Sequence, residues 1–245
     1  MNHKPQMIIF DYGHTLTYEN DWNRVRAITA FLKCAVSNKN NVTAEEINDL
    51  YSETAGKARL NEIDFHYYSV LNLLFEYFQI EVNLSLSEIE EIYWNNVAST
   101  HTMPNIAELL EYLQKNNIRT GVISNTRFSG EAMSNKLNKI LPENNFEFII
   151  TSSDYVFRKP NKILFELALK KANLDAGEVW YCGDNAVKDV LASNSAGIFP
   201  VWFDSEIECF YRTEKQNAPD CEYLHIKDWC ELIDALDSSN FTIKI

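Results

Sequence analysis

The sequence has no cysteines in metal-binding or redox spacing. Its five, Cys34, Cys182, Cys209, Cys221 and Cys230, are odd in number and form no CxxC pair. A disulfide framework and a zinc site are therefore not expected, and a reducing, cytoplasmic setting fits this usage best. Basic charge is also scarce. Lys and Arg number 22 against 35 Asp and Glu, a net charge of −13. Nucleic acid and anionic membrane surfaces both require a basic face, so neither is expected as a partner. A small anionic substrate needs only local positive charge and stays open. No stretch approaches the roughly 20 apolar residues of a membrane span. The N-terminus shows one four-residue apolar run among polar and charged residues, which is not a signal-peptide pattern. Internal repeats and low-complexity segments are absent.

What is present is a globular composition, 46% hydrophobic and 23% charged over 245 residues, enough for one large or two modest domains. The stretch from Met7 to Thr17 organises the rest. Four apolar residues, Met7 to Phe10, end in Asp11, and Tyr12, Gly13, His14 and Thr15 follow. This reads as a buried strand that delivers a carboxylate to its C-terminal edge. Ligands of open α/β sheets bind at such edges. The alternative is that Asp11 only starts a turn.

Between Asp21 and Ser99 the periodicity is helical. Trp22, Val25, Ile28 and Phe31 share one face, Thr43 with Glu46 forms a capping-box pattern, and Ser87 with Glu90 suggests another. Phe65 to Phe78 carries a broad aromatic face that reads as bundle core. About 80 residues exceed what a crossover needs, so a helical module is inserted after the first strand. The second half alternates. Strands are expected at Arg119–Ser124, Phe146–Ile150, Val179–Cys182, Phe199–Phe203 and Tyr223–Ile226, and helices at Gly130–Ile140, Lys162–Ala172 and Val187–Ala196. Asp228 with Glu231 caps a final helix. This alternation implies a parallel sheet with helices on both faces.

Polar groups recur where these strands end. Ser124 and Asn125 follow an apolar run, and a hydroxyl with free backbone N–H groups at a helix entry suits an oxyanion. Ser124 could equally cap the next helix. Lys159, before Pro160 and a helix, is placed to screen carboxylates or reach a phosphate, unless it is an ordinary exposed loop lysine. Gly183 and Asp184 end another strand, with Asp189 five residues on. Carboxylates on a shared site repel unless a cation intervenes, and Mg²⁺ prefers such oxygen ligands. The alternative has Asp184 capping a helix and Asp189 solvated.

Taken together, these four segments resemble the motifs of the haloacid dehalogenase-like (HAD) superfamily of hydrolases. Phe10 to Thr15 resembles its first motif, Ile123 to Asn125 its second, Lys159-Pro160 its third, and Gly183 to Asn185 with Asp189 its fourth. The resemblance implies a three-layer, doubly wound parallel sheet, Rossmann-like, from residues 1–18 and 100–245, with an inserted all-α helical cap at 19–99. It also implies a phosphatase working through an aspartyl-phosphate on Asp11. Mg²⁺ would be held by Asp11, the Gly13 backbone carbonyl and Asp184. Ser124, the Asn125 N–H and Lys159 would bind the phosphoryl group, and Asp189 would support the metal or Lys159. The expected substrate is a small phosphorylated metabolite, and the expected state is a monomer or homodimer.

One position departs from the pattern. The family's phosphatases usually carry a second Asp two residues after the nucleophile as general acid and base; here it is Gly13. The metal contact through a carbonyl survives, but the proton transfer does not, and that help is worth on the order of 10²–10⁴ in rate. His14 is the neighbouring candidate for the role, against the alternative that it fills a turn. Two other functions stay in view: a non-catalytic binding or regulatory protein on the same fold, and a metal-independent 2-haloacid dehalogenase. For the latter, Arg24 is the arginine soon after the first motif, although its helical context reads as a surface position.

Overall fold

The opening apolar run forms strand β1 (Met7–Phe10), and all of its residues are fully buried. A strand apolar on both faces requires cover on both sides, and the computed structural model supplies it. The structure describes residues 4–54, 62–208, 216–238 and 243–244. After β1 the chain runs through β2 (Thr17–Asn20), α1 (Arg24–Leu32), β3 (Ala35–Asn38), α2 (Ala44–Glu53), α3 (Tyr67–Phe78), β4 (Ile80–Val82), α4 (Leu86–Val97) and β5 (Ser99–Thr102). It continues with α5 (Ile106–Lys115), β6 (Arg119–Ser124), α6 (Gly130–Ile140), β7 (Phe146–Thr151), α7 (Ser152–Tyr155), α8 (Ile163–Ala172) and β8 (Val179–Gly183). The last elements are α9 (Ala192–Ser195), β9 (Phe199–Phe203), β10 (Tyr223–Ile226), α10 (Trp229–Asp237) and β11 (Ile243–Lys244).

The seven-stranded sheet has the order β11-β10-β9-β8-β1-β6-β7. Its pairings are parallel except for the antiparallel β10–β11 edge. Alternate residues of β1 feed two separate cores. Ile8 and Phe10 pack with Leu109, Leu113, Met133, Leu137 and Trp229 from α5, α6 and α10. Met7 and Ile9 pack with Leu164, Phe165 and Ala168 from α8. This is the three-layer, doubly wound α/β arrangement. From β1 the chain winds outward through β6 and β7, then returns to β8 on the other side. Strand order therefore reverses at β1 and β8, where such folds bind ligands. Phe10 pairs with Val122 on one side and Cys182 on the other, so the three strands end nearly level.

The cap comprises α1 to α4. It is not all-α as expected: β3 and β4 form a short antiparallel pair within it, with Asn38 opposite Ile80. These strands are short and only partly buried, so their sequence lacks the alternation by which strands are read. A second antiparallel pair, β2 with β5, joins cap to core, setting Glu19 opposite Thr100 and Asn20 opposite Ser99. The expected boundaries near residues 18 and 100 fall inside this ribbon.

Three local expectations need correction. The Thr43–Glu46 capping box is present, but the second box uses Ser85 and Glu88, two residues earlier than Ser87 and Glu90. Asp228 caps α10 through the Cys230 N–H at 2.7 Å, without a reciprocal box from Glu231. The helix expected at Val187–Ala196 opens as a π-helical stretch, Ala186–Leu191, before α9. Glu90 has a different use. It is fully buried and accepts from the Ser129 N–H at 3.0 Å and the Ser129 hydroxyl at 2.6 Å, tying α4 of the cap to the start of α6. The Ser129 hydroxyl also caps α6 by accepting from Ala132 N–H. Ser129→Ala strands part of a buried carboxylate and removes a cap, so it is expected to lower unfolding stability by about 1–3 kcal/mol in urea titrations.

Candidate active site

Lys159 lies at the centre of the site and is 3% exposed. Its ammonium is 2.9 Å from Asp11 Oδ1 and 2.6 Å from Asp189 Oδ1. It also donates to the Tyr181 hydroxyl at 2.7 Å and to the Ile123 carbonyl at 3.3 Å. Its backbone is fixed as firmly. The Asn125 side chain donates to the Lys159 carbonyl and accepts from the Lys159 N–H, both at 2.8 Å. Asn125 follows β6, so this reciprocal pair ties the loop before α8 to the edge of the central sheet. The Lys159–Pro160 peptide is cis.

Asp11 is held at the end of β1 by its N–H, which donates to the Cys182 carbonyl at 2.9 Å. Asp184 follows β8, and its carbonyl accepts from Trp202 Nε1 at 3.1 Å and Gln216 Nε2 at 2.9 Å. Asp189 comes from the π-helical stretch; its second oxygen accepts from the Asn185 N–H at 2.9 Å. Gly183 makes this approach possible. A Cβ there would lie 2.4 Å from both Cβ and Cγ of Asp189.

Carboxylate oxygens of Asp11, Asp184 and Asp189 all lie within 4.8 Å of one another. Burial pushes the Asp11 carboxyl up to about 6; the Lys159 charge opposes this and the Asp189 charge adds to it. Burial would pull the Lys159 ammonium down, but Asp11 and Asp189 outweigh it and hold it above its ordinary value. Two carboxylates contact one ammonium and the third, Asp184, lies beside them, which leaves surplus negative charge in a buried place. An all-oxygen cluster of that charge fits a hard divalent cation such as Mg²⁺.

A cavity of about 910 Å³ opens over this cluster between core and cap. Asp11, Gly13, His14, Ser124, Asn125, Lys159, Asp184 and Asp189 all line it, so the structure brings every expected site residue to one place. Ser124 is 4% exposed. His14 has φ 53° and is buried, yet it lines the cavity as well as forming the turn. Asp189 is 1% exposed and contacts Lys159 directly, so it is not solvated.

Further residues shape the site beyond those expected to act in it. Tyr181, a buried residue of β8, places its hydroxyl between Lys159, Asp189 and Ile123. Arg24, the arginine soon after the first motif, is half-buried; it lines the cavity, and its guanidinium lies over the Tyr51 ring. Arg127 and Arg158 also line it, and both reach the buried Asp64. Tyr67, from the aromatic stripe assigned to bundle core, is buried and lines the cavity too. Glu19, on the cap–core ribbon, is the cavity's carboxylate outside the Asp cluster among the described residues. Burial raises its pKa above the usual carboxylate range, against the pull of Lys136.

The pattern described as haloacid dehalogenase-like hydrolase matches residues 8–203, most of the chain. The chain belongs to the haloacid dehalogenase-like hydrolase family. Among relatives of this hydrolase, the pyrimidine 5'-nucleotidase YjjG of Escherichia coli is 29% identical over 133 residues, 54% of this chain. The match spans 58% of the nucleotidase's own length. A glyceraldehyde 3-phosphate phosphatase of Methanothermobacter thermautotrophicus is 26% identical over 204 residues, covering 82% of this chain and 86% of that protein. The crystal structure of a HAD phosphatase from Thermococcus onnurineus superposes with a TM-score of 0.60 at 22% identity, covering 94% of this chain and 97% of that one, a likeness of fold.

The close contact at Gly183 gives a direct test. Gly183→Ala forces Asp189, and with it Lys159, out of place. The expected cost is about 1–3 kcal/mol of stability in thermal or urea unfolding, as for other overpacked sites, together with loss of any activity that needs Lys159.

Proposed function

We propose that this hydrolase is a Mg²⁺-dependent phosphatase of small organic phosphates that works through an aspartyl-phosphate on Asp11. The observation that carries this reading is the cluster of Asp11, Asp184 and Asp189 at the carboxyl end of the central strand, with Lys159 bonded to Asp11 and Asp189. The names of two relatives, a nucleotidase and a phosphatase, support a phosphate ester as substrate. Surplus negative charge beside the nucleophile weighs against a metal-free 2-haloacid dehalogenase.

Asp11 would attack phosphorus in line, forming the Asp11 O–P bond as the ester P–O bond breaks and the leaving oxygen takes a proton. Water would then attack the same phosphorus, return the Asp11 carboxylate and release inorganic phosphate. Ser124 Oγ and the Asn125 N–H would receive phosphoryl oxygens, and Lys159 would offset charge as it gathers there. A divalent cation held by Asp11, Asp184 and the Gly13 carbonyl would neutralise phosphoryl charge and fix the geometry of attack.

Two measurements test this. First, p-nitrophenyl phosphate turnover is expected to require Mg²⁺, to vanish in Asp11→Asn, and to fall by about 10²–10³ in Lys159→Met. Turnover that survives chelation or Asp11→Asn would overturn the reading, and halide release from 2-haloacids without metal would replace it. Second, the proton transfer that Gly13 cannot make is assigned by comparing His14→Ala and Glu19→Gln on an alkyl phosphate and on p-nitrophenyl phosphate. The residue responsible loses about 10²–10⁴ on the alkyl ester and far less on the aryl ester, whose leaving group needs little protonation. A variant with unchanged rate and pH profile on both esters removes its residue from the role.

A further inference from the structure

Basic groups line the cavity where cap meets core, beside Glu19 on the ribbon. In a chain with 35 acidic and 22 basic residues, Arg24, Arg127 and Arg158 all line one cavity. Tyr51, on α2 of the cap, gathers two of them. Arg127 donates to the Tyr51 hydroxyl at 2.9 Å, and the guanidinium carbons of Arg24 and Arg127 lie 5.3 Å and 5.8 Å from the centroid of the same ring. Arg127 is 4% exposed and also stacks on Phe65 at 4.3 Å.

Among the described residues, the buried Asp64 offsets part of this charge. Asp64 lies 3.5 Å from Arg127 Nε and 2.8 Å from Arg158 NH1, and it also accepts from the Ser152 hydroxyl at 2.8 Å. Arg24, half-buried on α1, forms no ion pair among the described residues. Two guanidinium groups around one ring repel each other, and burial weakens the screening by water. An oxyanion in the cavity that both residues line would relieve that repulsion, and the guanidinium fork matches carboxylate and phosphate oxygens in pairs. The phosphoryl group undergoing transfer is already served by Lys159, Ser124 and the Asp cluster.

We propose that Arg24, Tyr51 and Arg127 form a subsite for a second oxyanion on the leaving group, so that the substrate is a phosphate ester carrying a carboxylate or a second phosphate. This rests on the phosphatase reading, and the test separates the two. Asp11→Asn protein with Mg²⁺ is titrated calorimetrically with phenyl phosphate, 4-carboxyphenyl phosphate and 1,4-phenylene bisphosphate. The doubly anionic compounds are expected to bind at least tenfold tighter than phenyl phosphate, and the tighter of the two identifies which oxyanion the subsite prefers. In the double variant with Arg24→Gln the preference is expected to fall to near one; with Arg24→Lys, which keeps the charge but not the fork, part of it returns. Equal affinities in Asp11→Asn, or a preference unchanged by Arg24→Gln, would overturn the subsite. Absence of turnover of any ester by the unaltered protein counts against the phosphatase reading alone, since the binding ratio does not depend on catalysis.

Discussion

A single ammonium group, that of Lys159, determines how the site is built. It is surrounded by Asp11 from β1, the Ile123 carbonyl from β6, Tyr181 from β8 and Asp189 from the π-helical stretch. Each partner comes from a different part of the chain, so none of the four can shift without disturbing the others. Removing one member of a buried ion pair typically costs about 3–5 kcal/mol, because the other charge is left uncompensated. Gly183 belongs to the same constraint, since only an absent side chain lets Asp189 come close enough to the lysine. The Asn125 side chain then secures the lysine's backbone from the second loop of the site.

Around this fixed centre the cavity divides into two electrostatic regions. Carboxylates dominate at the sheet edge and guanidinium groups at the cap seam. The overall charge of −13 gives no hint of the second region. Segment 62–64 helps place it there: the Asp64 N–H donates to the Val156 carbonyl at 2.6 Å, and Ile63 bridges Phe157. Asp64 thereby becomes a buried anchor between the two arginines that follow β6 and β7. With Glu90 bonded to Ser129, the cap is joined to the core by buried polar contacts as well as by the chain itself.

Much of this was legible in the sequence because it is local. The apolar run ending in Asp11, each strand and helix expected in the second half, and each of the four motifs are written in a short stretch of neighbouring residues. What could not be read depends on distance or on competition. Ser85-x-x-Glu88 and Ser87-x-x-Glu90 are overlapping copies of one capping pattern, and only the burial of Glu90 against Ser129 decides between them. Tyr181 occupies an ordinary strand position, and its role arises from Lys159, 22 residues away. Arg24 sits in a helical pattern that fits a solvated face, yet Tyr51 brings it into the cavity. The β3–β4 pair is too short for alternation to register.

The ribbon formed by β2 and β5 has a topological consequence. The chain departs from the core at Asn20 and comes back at Ser99, and these residues are register partners on adjacent strands. Everything between them is therefore an excursion from a hairpin. A two- or three-residue turn across that gap would leave the strand order of the main sheet, and the spacing of Asp11, Lys159 and Asp184 upon it, formally unchanged. The carboxylate cluster of the core and the cavity-lining residues of the cap are thus separable in connectivity. What lies beyond Asn20 and Ser99 can in principle be replaced without rewiring the sheet.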